Sequence, residues 1–285
     1  MILHKEVLKL MNQCTDFLYH YTSIETLALI LSNRTFRLNS LDQMDDLQEK
    51  ETSDIKNIGQ FCYISSWTDD ETESIPMWKM YSSLDSGVRI KLKANPFKLF
   101  ENTPESIKEV SVLPVTDESN GVYLKSIIPI ADMMKKGYIC PAAMSNNILH
   151  KVEYTSDPSK LYPKLVTYEG DKFSISLGTL GIHKNIHWEF QHEWRYILQF
   201  YPVNINQDPN ILPTSVQIMA NKILHGLEKQ PFPFYDLQLD DVAFSKMEIT
   251  LSPKISAGYR LIVNSLIEKY NPSALIHNSS LLGLI

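Results

Sequence analysis

Gln191, Glu193 and Arg195 place an amide, a carboxylate and a guanidinium at alternate positions of the segment QHEWRYI. In a β-strand, alternate side chains point to the same side, so an extended conformation would group these three residues. A carboxylate can hydrogen-bond a sugar hydroxyl and stabilise the oxocarbenium-like cation that forms when a glycosidic bond breaks. A solvated strand face explains the same three residues, and the segment alone leaves both interpretations open.

The single carboxylate is the informative part of this pattern. Ordinary glycosidases use two carboxyl groups, one of which protonates the leaving group. Here a neutral amide, Gln191, stands two residues before Glu193. This arrangement better suits the transfer of a sugar from a leaving group that needs no general acid.

Two further groups of side chains have residue types that suit a ligand. His20 and Thr22, in YHYTS, share one face of a predicted strand that leads directly into a capped helix, and such a junction offers backbone N–H donors. Trp78 and Tyr81, in PMWKMY, lie three residues apart on one predicted helical face and could form an aromatic wall for a flat ring. A half-buried histidine and aromatic core packing are the alternative interpretations.

The histidines between positions 183 and 192 invite comparison with a metal site. His183 and His187 have the spacing of two ligands on one helical face, but no HExxH motif accompanies them. His192 would act as a third ligand only if the chain turned back. We therefore expect no metal site. The motifs GxGxxG, GxxxxGK[ST] and GxSxG are absent as well, which argues against a Rossmann fold, a P-loop or a hydrolase nucleophile elbow.

Periodicity and capping signals predict the elements that position these residues. A capping box at Thr22 and Glu25 predicts a helix that ends near Asn33. Pro76 is expected to begin a second helix. Strands are predicted in TFRLNS, FCYISSW, VRIKLK, SVLPV and MEITLSP, and helices in MILHKEVLKLMNQC and ISAGYRLIVNSLIEKY. The last helix has a predicted apolar stripe of Leu261, Ile262, Leu266 and Ile267. Short strands among irregularly placed helices predict an α+β fold.

Composition limits the classes of protein that this chain can belong to. Its 285 residues are 44% hydrophobic and 21% charged, which is ordinary for a globular protein with a sizeable core. We predict a single domain, 1–285, with an insertion at about 95–160. The formal net charge of −6 argues against generic binding to a nucleic-acid backbone.

Cysteine content and hydropathy indicate the compartment. Cys14, Cys62 and Cys140 are odd in number, widely spaced and in no CxxC pair, which argues against a disulfide framework and for a reducing environment. No apolar run approaches the ~20 residues of a membrane span. The N-terminus lacks the features of a secretory signal. We expect a cytoplasmic protein without membrane contact.

Five motifs follow one another along the chain: YHYTS, RLNSLDQMDDLQE, FCYISSW, PMWKMYSS-x3-GVRI and W-x2-Q-x-EWR. In this order they resemble an uncharacterised prokaryotic domain family that is grouped by fold with the ADP-ribosyltransferases. That family typically shows a Tyr-His-Tyr-Thr opening, an Asn-Asp-Pro-x-Glu loop, a Cys-Phe-Ser strand, a Met-Trp-x-x-Tyr helix and a Trp-x-x-Glu-x-Glu-x-Arg strand. The resemblance spans roughly 18–92 and 184–200. Here the Asn-Asp-Pro loop reads Asp45-Asp46-Leu47 with Glu49 retained, so the role of that loop stays open. In addition, Gln191 replaces the first glutamate of the Glu-x-Glu pair.

The resemblance implies an ADP-ribosyltransferase-like split β-sheet core and NAD-dependent transfer of ADP-ribose with release of nicotinamide. It implies that Glu193 is the catalytic carboxylate and that Gln191 lies on the acceptor side. In ADP-ribosyltransferases, glutamine at that position is associated with amide or nucleobase acceptors rather than with arginine. Arg195 would orient Glu193 or meet a phosphate of NAD, and Lys184 is a weaker phosphate candidate.

The resemblance also implies roles for residues in the first third of the chain. His20 would hold the NAD ribose, with Thr22 beside it near the nicotinamide, and Tyr21 is a cofactor-binding candidate. Tyr81 would stack on the nicotinamide ring, and Trp78 is a further cofactor-binding candidate. The implied catalytic residues are therefore Glu193, Tyr81 and His20, and NAD is the co-substrate.

The family setting implies a toxin or anti-phage effector that modifies a macromolecule. The implied acceptor is an RNA or DNA base or a protein side chain, and an antitoxin or chaperone partner would hold the enzyme inactive. Two alternatives stay open. An NAD glycohydrolase would use the same site with water as the acceptor, and a non-catalytic member would bind a nucleotide or a partner protein.

Overall fold

The computed structural model describes residues 15–102, 124–144, 148–170, 172–203 and 212–285. The helix predicted in MILHKEVLKLMNQC and the strand predicted in SVLPV lie outside these residues. The described chain is mixed α and β, with a mixed multi-stranded sheet and several helices, so the predicted α+β class is confirmed. None of the helices in the described part of the chain has the length and hydropathy of a membrane span.

The strands and helices are numbered in chain order. The strands are β1 (Phe17–Ser23), β2 (Thr35–Ser40), β3 (Cys62–Thr68), β4 (Gly87–Lys93), β5 (Phe100–Asn102), β6 (Leu124–Ser126), β7 (Leu149–Lys151), β8 (Glu153–Thr155), β9 (Val166–Glu169), β10 (Lys172–Ile175), β11 (His183–Asn185), β12 (Glu193–Gln199), β13 (Phe234–Gln238), β14 (Glu248–Leu251) and β15 (Leu275–His277). The helices are α1 (Ile24–Asn33), α2 (Ile75–Tyr81), α3 (Ile130–Lys135), α4 (Pro158–Leu161), α5 (Leu212–Leu224), α6 (Asp241–Ser245) and α7 (Ala257–Tyr270).

The chain divides into two compact units. The terminal unit consists of the described residues of Met1–Thr35 together with Trp67–Phe97 and Leu239–Ile285. The central unit consists of Phe36–Ser66 and the described residues of Lys98–Gln238. The described residues of the predicted insertion, from Lys98 onward, therefore fall in one unit with those that follow them.

The terminal unit is built on the strand order β1-β4-β14-β15. β1 and β14 each pair antiparallel with β4, and β15 runs parallel to β14. The register aligns Leu18 with Leu92 and Ile90 with Ile249, so one face of the sheet is apolar and buried. The alternate residues give the opposite face a polar character because side chains alternate along a strand.

Two local predictions in the terminal unit were wrong by small shifts. The side chain that caps α1 is Ser23, which accepts a hydrogen bond from the Thr26 N–H at 3.1 Å; Thr22 is still part of β1. In α7 the buried residues are Val263 and Ile267, so Ile267 is buried as predicted, whereas Leu261 and Ile262 of the predicted stripe are 66% and 47% exposed. The apolar pattern of α7 is broad, and tertiary packing selects which part of it is covered.

The central unit holds β13, β2, β3, β12 and β7 in neighbouring positions, with β12 between β3 and β7. β7 pairs antiparallel with β12, and Arg195 lies opposite His150. The short pair β8–β11 is parallel and brings His183–Asn185 beside Glu153–Thr155. This arrangement fixes the start of β12 next to β11, and these two strands carry three charged residues of the candidate site, Lys184, Glu193 and Arg195.

Candidate functional site

The conformation before β12 differs from the predicted continuous strand. β12 begins at Glu193, whereas Gln191 ends a 3-10 helix that spans Ile186–Gln191. His192 joins the two elements in the left-handed conformation, with φ of 44°. The prediction that Gln191 lies in the same strand as Glu193 was therefore wrong. Despite the turn, the side chains of Gln191 and Glu193 both contact Lys184.

The interpretation of this segment as a solvated strand face was wrong for β12. Every residue from Glu193 to Leu198 is buried, and Glu193 is 4% exposed and Arg195 1% exposed. Burial of ionised groups is costly unless they are paired and hydrogen-bonded. The pairing is provided by a group that we call the buried ion cluster. It consists of Glu49, Lys184, Gln191, Glu193 and Arg195.

Arg195 is the central cation of the buried ion cluster. Its Nε lies 2.7 Å from Glu193 Oε1 and its Nη2 lies 3.0 Å from Glu193 Oε2, a bidentate pair. Its Nη1 lies 2.6 Å from Glu49 Oε2 and also donates to the Gly181 carbonyl at 2.9 Å. The planar guanidinium thus holds two carboxylates in fixed orientation.

Lys184 is the second cation of the cluster, and it connects Gln191 to Glu193. Its Nζ donates to Gln191 Oε1 at 2.9 Å and to Glu193 Oε2 at 3.0 Å. The same ammonium lies 3.1 Å from Glu49 Oε1. An ammonium is only a donor, so this contact requires that the oxygen of the Gln191 amide faces Lys184.

The environment keeps Glu193 ionised. Burial by itself would raise its pKa, but Arg195 and Lys184, with hydrogen bonds from Arg195 and Ser66, outweigh that effect and lower the pKa to about 2. The carboxylates of Glu193 and Glu49 hold the pKa of Arg195 above its ordinary range, although burial alone would lower it. The cluster therefore presents a fixed carboxylate anion across the whole physiological pH range.

The backbone of Glu193 is held as firmly as its side chain. Its N–H donates to the Tyr154 hydroxyl at 2.8 Å, and its carbonyl accepts from the Val152 N–H at 2.9 Å. Burial, the largest cause, raises the pKa of Tyr154, so this phenol stays neutral. Tyr154 lies in β8, beside β11, and was not predicted because nothing in its sequence neighbourhood marks a contact 39 residues along the chain.

Glu49 is brought to the cluster from a distant part of the sequence. It is separated from Arg195 by 146 positions and is itself 8% exposed. In the sequence, only the resemblance to the Asn-Asp-Pro-x-Glu loop points to Glu49. The structure shows one concrete task, which is to bind the guanidinium of Arg195 on the side away from Glu193.

The predicted cofactor-binding residues of the terminal unit lie on two faces of β1. The register pairs His20 with Ile90 and Tyr21 with Arg89, so these neighbours point in opposite directions. His20 is half-buried with its ring centroid 5.0 Å from that of Trp67. Thr22 shares the His20 face and is buried.

Tyr21 packs with the two aromatic residues of α2. Its ring meets Trp78 edge-on at 5.0 Å, and Tyr81 packs against the same small cluster. Trp78 is 0% exposed, so its ring serves core packing in this conformation. Tyr81 is half-buried. The structure thus brings Tyr21, Trp78 and Tyr81 together and separates them from the face that carries His20 and Thr22.

A carboxylate that the sequence did not single out accompanies Trp78. Glu73 Oε2 accepts from Trp78 Nε1 at 3.0 Å and from Ser279 Oγ at 2.6 Å. Glu73 Oε1 accepts from the N–H and hydroxyl of Ser280 at 2.6 and 2.9 Å. Burial raises the pKa of Glu73, but the hydrogen bonds from Ser279, Ser280 and Trp78 lower it further than burial raises it.

The histidines considered as metal ligands lie in different local structures. His183 is in β11 with its Nε2 3.3 Å from Glu153 Oε2, His187 is in the 3-10 helix, and His192 is the left-handed residue before β12. The His-x3-His spacing therefore does not fall on one α-helical face. Among the residues that the structure describes, no group of three or more acidic, histidine or cysteine side chains has the geometry to hold a metal ion.

Two cavities lie away from the buried ion cluster, one within each unit. The cavity of the central unit has a volume of about 640 Å³ and lies between α3 and β13, with Phe232, Phe234 and Tyr235 in its wall. The cavity of the terminal unit has a volume of about 300 Å³ and lies on the polar face of the sheet, with Arg89 and Lys91 in its wall. Neither lining includes Glu193.

Comparison of the chain with protein-family models, with curated proteins and with solved structures finds no match. What the cluster offers chemically is a carboxylate that is always ionised, an amide held two residues before it, and two cations that position both.

Proposed function

We propose that this protein is an NAD-dependent ADP-ribosyltransferase with an ADP-ribosyltransferase-like split β-sheet core, and that Glu193 is its catalytic carboxylate. The observation that carries the proposal is the shared contact of Gln191 and Glu193 with one ammonium group, Lys184 Nζ. This contact joins the amide and the carboxylate of the Gln-x-Glu pair although only Glu193 lies in the strand.

The proposed chemistry requires an anion and no general acid. Glu193 accepts a hydrogen bond from the 2′-hydroxyl of the NAD ribose and stabilises the positive charge that develops as the bond to nicotinamide breaks. Nicotinamide leaves as a neutral molecule, because the electron pair of the breaking bond neutralises its ring. The acceptor nucleophile then bonds to the ribose carbon and loses its proton. The lowered pKa of Glu193 supports this role, since the charge is present at every physiological pH.

Arg195 has a positioning role in this proposal. Its bidentate contact fixes the plane of the Glu193 carboxylate, and fixed orientation of a charged group is a large part of electrostatic catalysis. The alternative role for Arg195, contact with a phosphate, is less well supported because its donors already face Glu193, Glu49 and the Gly181 carbonyl.

In the terminal unit, the proposal keeps His20 as the residue that holds the NAD ribose, Thr22 as its neighbour near the nicotinamide, and Tyr81 as the residue that stacks on nicotinamide. His20 and Tyr81 are both partly exposed but lie on opposite sides of β1, so this part of the proposal rests on the resemblance. Tyr21 and Trp78 support α2 through their mutual contact and through hydrogen bonds to Ser74 and Glu73, rather than binding NAD directly.

The acceptor in this proposal is a macromolecule in the cytoplasm, either a nucleic-acid base or a protein side chain. Gln191 favours an amide or nucleobase acceptor over arginine, as the resemblance implies. A toxin or anti-phage effector of this kind would need an antitoxin or chaperone partner in its host cell.

Incubation with NAD labelled in its adenylate group tests the proposal. The wild-type protein is expected to release nicotinamide and to transfer label to RNA, DNA or protein of a cell extract. Glu193→Gln should lower turnover by about 10²–10³-fold with little change in NAD binding, because its contact strengthens only in the transition state. Free labelled ADP-ribose without a labelled macromolecule would instead identify an NAD glycohydrolase.

Glu49→Gln is the matched control for this experiment. It removes the same charge from the same cluster and the same guanidinium, so it reproduces the structural disturbance without removing the carboxylate that would touch ribose. Turnover should fall much less than in Glu193→Gln. Equal losses in the two variants, with equal losses of stability, would contradict a catalytic role for Glu193.

One observation favours a second candidate, a non-catalytic member of the same fold that binds a nucleotide or partner protein. Glu193 has donors on both oxygens and is 4% exposed, as a purely structural ion cluster would be. Folded wild-type protein that binds NAD, or an isolated partner, and releases no nicotinamide would establish this candidate.

A further inference from the structure

The two cations of the buried ion cluster are held in different ways. Arg195 is a planar fork with fixed partners, and its side chain is 1% exposed. Lys184 reaches three oxygens with a single ammonium on a flexible stem, and its side chain is 8% exposed. A compact ammonium exchanges partners by rotation of its stem, whereas a bidentate guanidinium must break two bonds at once.

Lys184 lies close to residues of the protein surface. Its ammonium lies 4.8 Å from the ring centroid of Trp188, which is half-buried. Trp188 belongs to the 3-10 helix Ile186–Gln191, whose residues Ile186, His187, Glu189 and Phe190 are exposed. Lys184 therefore lies between the cluster on one side and a surface turn on the other.

The charges of the cluster explain why Lys184 matters. Two carboxylates and two cations make the cluster neutral as it stands. Withdrawal of the Lys184 ammonium would leave one net negative charge and would open a lone-pair position on Glu193 Oε2, while Arg195 continues to hold the carboxylate. A carboxylate that must accept a ribose hydroxyl and offset one developing positive charge needs both changes.

We propose that Lys184 is a phosphate-responsive positioning residue: the diphosphate of the bound dinucleotide draws its ammonium past Trp188 and thereby activates Glu193. This inference rests on the proposed function. The diphosphate supplies the differential interaction that any such change requires, since it binds the outward ammonium and has no partner when the ammonium is inward. NAD thus contributes to making its own catalytic carboxylate available.

Trp188 provides a readout that does not depend on turnover. Addition of inorganic pyrophosphate or ADP-ribose should change tryptophan emission saturably, because the ammonium leaves the indole face. The change should be absent in Trp188→Phe, which keeps the other three tryptophans, and in Lys184→Met. Adenosine, which lacks phosphate, should have no effect. An emission change that persists in Trp188→Phe, or none in the wild type, would overturn the inference.

Steady-state kinetics provide the second test. Lys184→Met should raise the KM for NAD by about tenfold or more, because a charged phosphate contact is lost, so kcat/KM should fall by more than kcat does. Lys160→Met is the control, since Lys160 is 50% exposed and forms only a surface ion pair. A purely structural role for Lys184 predicts that kcat falls and KM does not rise.

The inference and the proposed function fail separately. If pyrophosphate changes Trp188 emission but nicotinamide is never released, the phosphate-responsive lysine stands and the transferase proposal falls. If label from NAD is transferred to a macromolecule while Lys184→Met keeps the wild-type KM and Trp188 emission is insensitive to pyrophosphate, the transferase stands and the role of Lys184 is excluded.

Discussion

Glu193 in the central unit and Glu73 in the terminal unit are two carboxylates with a lowered pKa, and the two units lower it by different means. Glu193 is ion-paired with Arg195 and Lys184 and is 4% exposed. Glu73 is half-buried and accepts hydrogen bonds from Trp78, Ser279 and Ser280, all of which are neutral donors.

The difference concerns what each carboxylate requires of its neighbours. A buried ion pair is strongly interdependent, because removal of one charge leaves the other uncompensated in a medium of low dielectric constant. A carboxylate bound by several neutral donors loses one hydrogen bond at a time. The stability of the central unit should therefore depend strongly on a few buried charges. In the terminal unit, by contrast, several residues that join α2 to the C-terminal segment share the stabilisation of Glu73.

Arg195→Met should have the largest effect on stability. It leaves Glu49 and Glu193 buried without their guanidinium, so the free energy of unfolding should fall by about 3–5 kcal/mol. Urea denaturation followed by circular dichroism measures the change. Arg37→Met is the control, because the Arg37–Asp236 pair is 43% and 29% exposed and should contribute about 1 kcal/mol or less. Similar losses in the two variants would show that the buried ion cluster is no more interdependent than a surface pair.

The second-largest expected effect is a difference in acid sensitivity between the stability of the wild type and that of Glu193→Gln. The folded pKa of Glu193 is about 2 against an ordinary value of 4.5, so its contribution to stability is complete above pH 4.5 and is lost as the pH falls toward 2. Between pH 6 and pH 3 the wild type should lose about 2 kcal/mol more than Glu193→Gln. Urea denaturation of both proteins at the two pH values measures this. Glu73 is present in both, so its own acid sensitivity cancels. Parallel losses would mean that Glu193 is not held as an anion by its neighbours.

Glu73→Gln should have an intermediate effect of about 1–2 kcal/mol, allowing for the partial exposure of the site. The amide nitrogen of glutamine cannot accept from Trp78 Nε1 or from the Ser280 N–H, so one part of the network is lost. Hydrogen exchange should accelerate at residues 279–281 and remain unchanged in β12. Faster exchange in β12 would contradict the view that each carboxylate stabilises only its own surroundings.

Ser279→Ala should have the smallest effect. It removes a single neutral donor from Glu73 and the Ser279 acceptor of the Leu281 N–H, and about 1 kcal/mol is expected. Thermal denaturation against the wild type suffices to measure it. A loss as large as that of Glu73→Gln would show that Ser279, rather than the distributed network, holds the carboxylate.

Local sequence patterns predicted the elements well wherever one interaction dominates. β2 matches the predicted TFRLNS, and α1 ends at Asn33 as expected. The boundaries shifted where two signals compete, as at Ser23, where strand pairing with Gly87 extends β1 by one residue beyond the predicted cap. The apolar stripe of α7 could not be chosen from periodicity, because Leu261 and Val263 are equally apolar and only packing distinguishes them.

The candidate site was predicted in part. The types and order of Gln191, Glu193 and Arg195 singled out the segment, but a strand pattern could not reveal the left-handed turn at His192. The contact between Glu49 and Arg195 spans 146 positions, and no periodic signal reaches that far. The separation of His20 from Tyr21 did follow from strand alternation, yet which face each would occupy depended on the pairing of β1 with β4.

By itself, the sequence determined the class of fold, the short-range elements and the single carboxylate in a Gln-x-Glu-x-Arg pattern, because these depend on residue type and local spacing. Only the tertiary structure decided that this carboxylate is buried, that Arg195 and Lys184 keep it ionised, and that Glu49 completes the charge balance. The physical reason is that the pKa and availability of Glu193 depend on desolvation and on charges within a few ångströms, and folding brings those charges from distant parts of the chain.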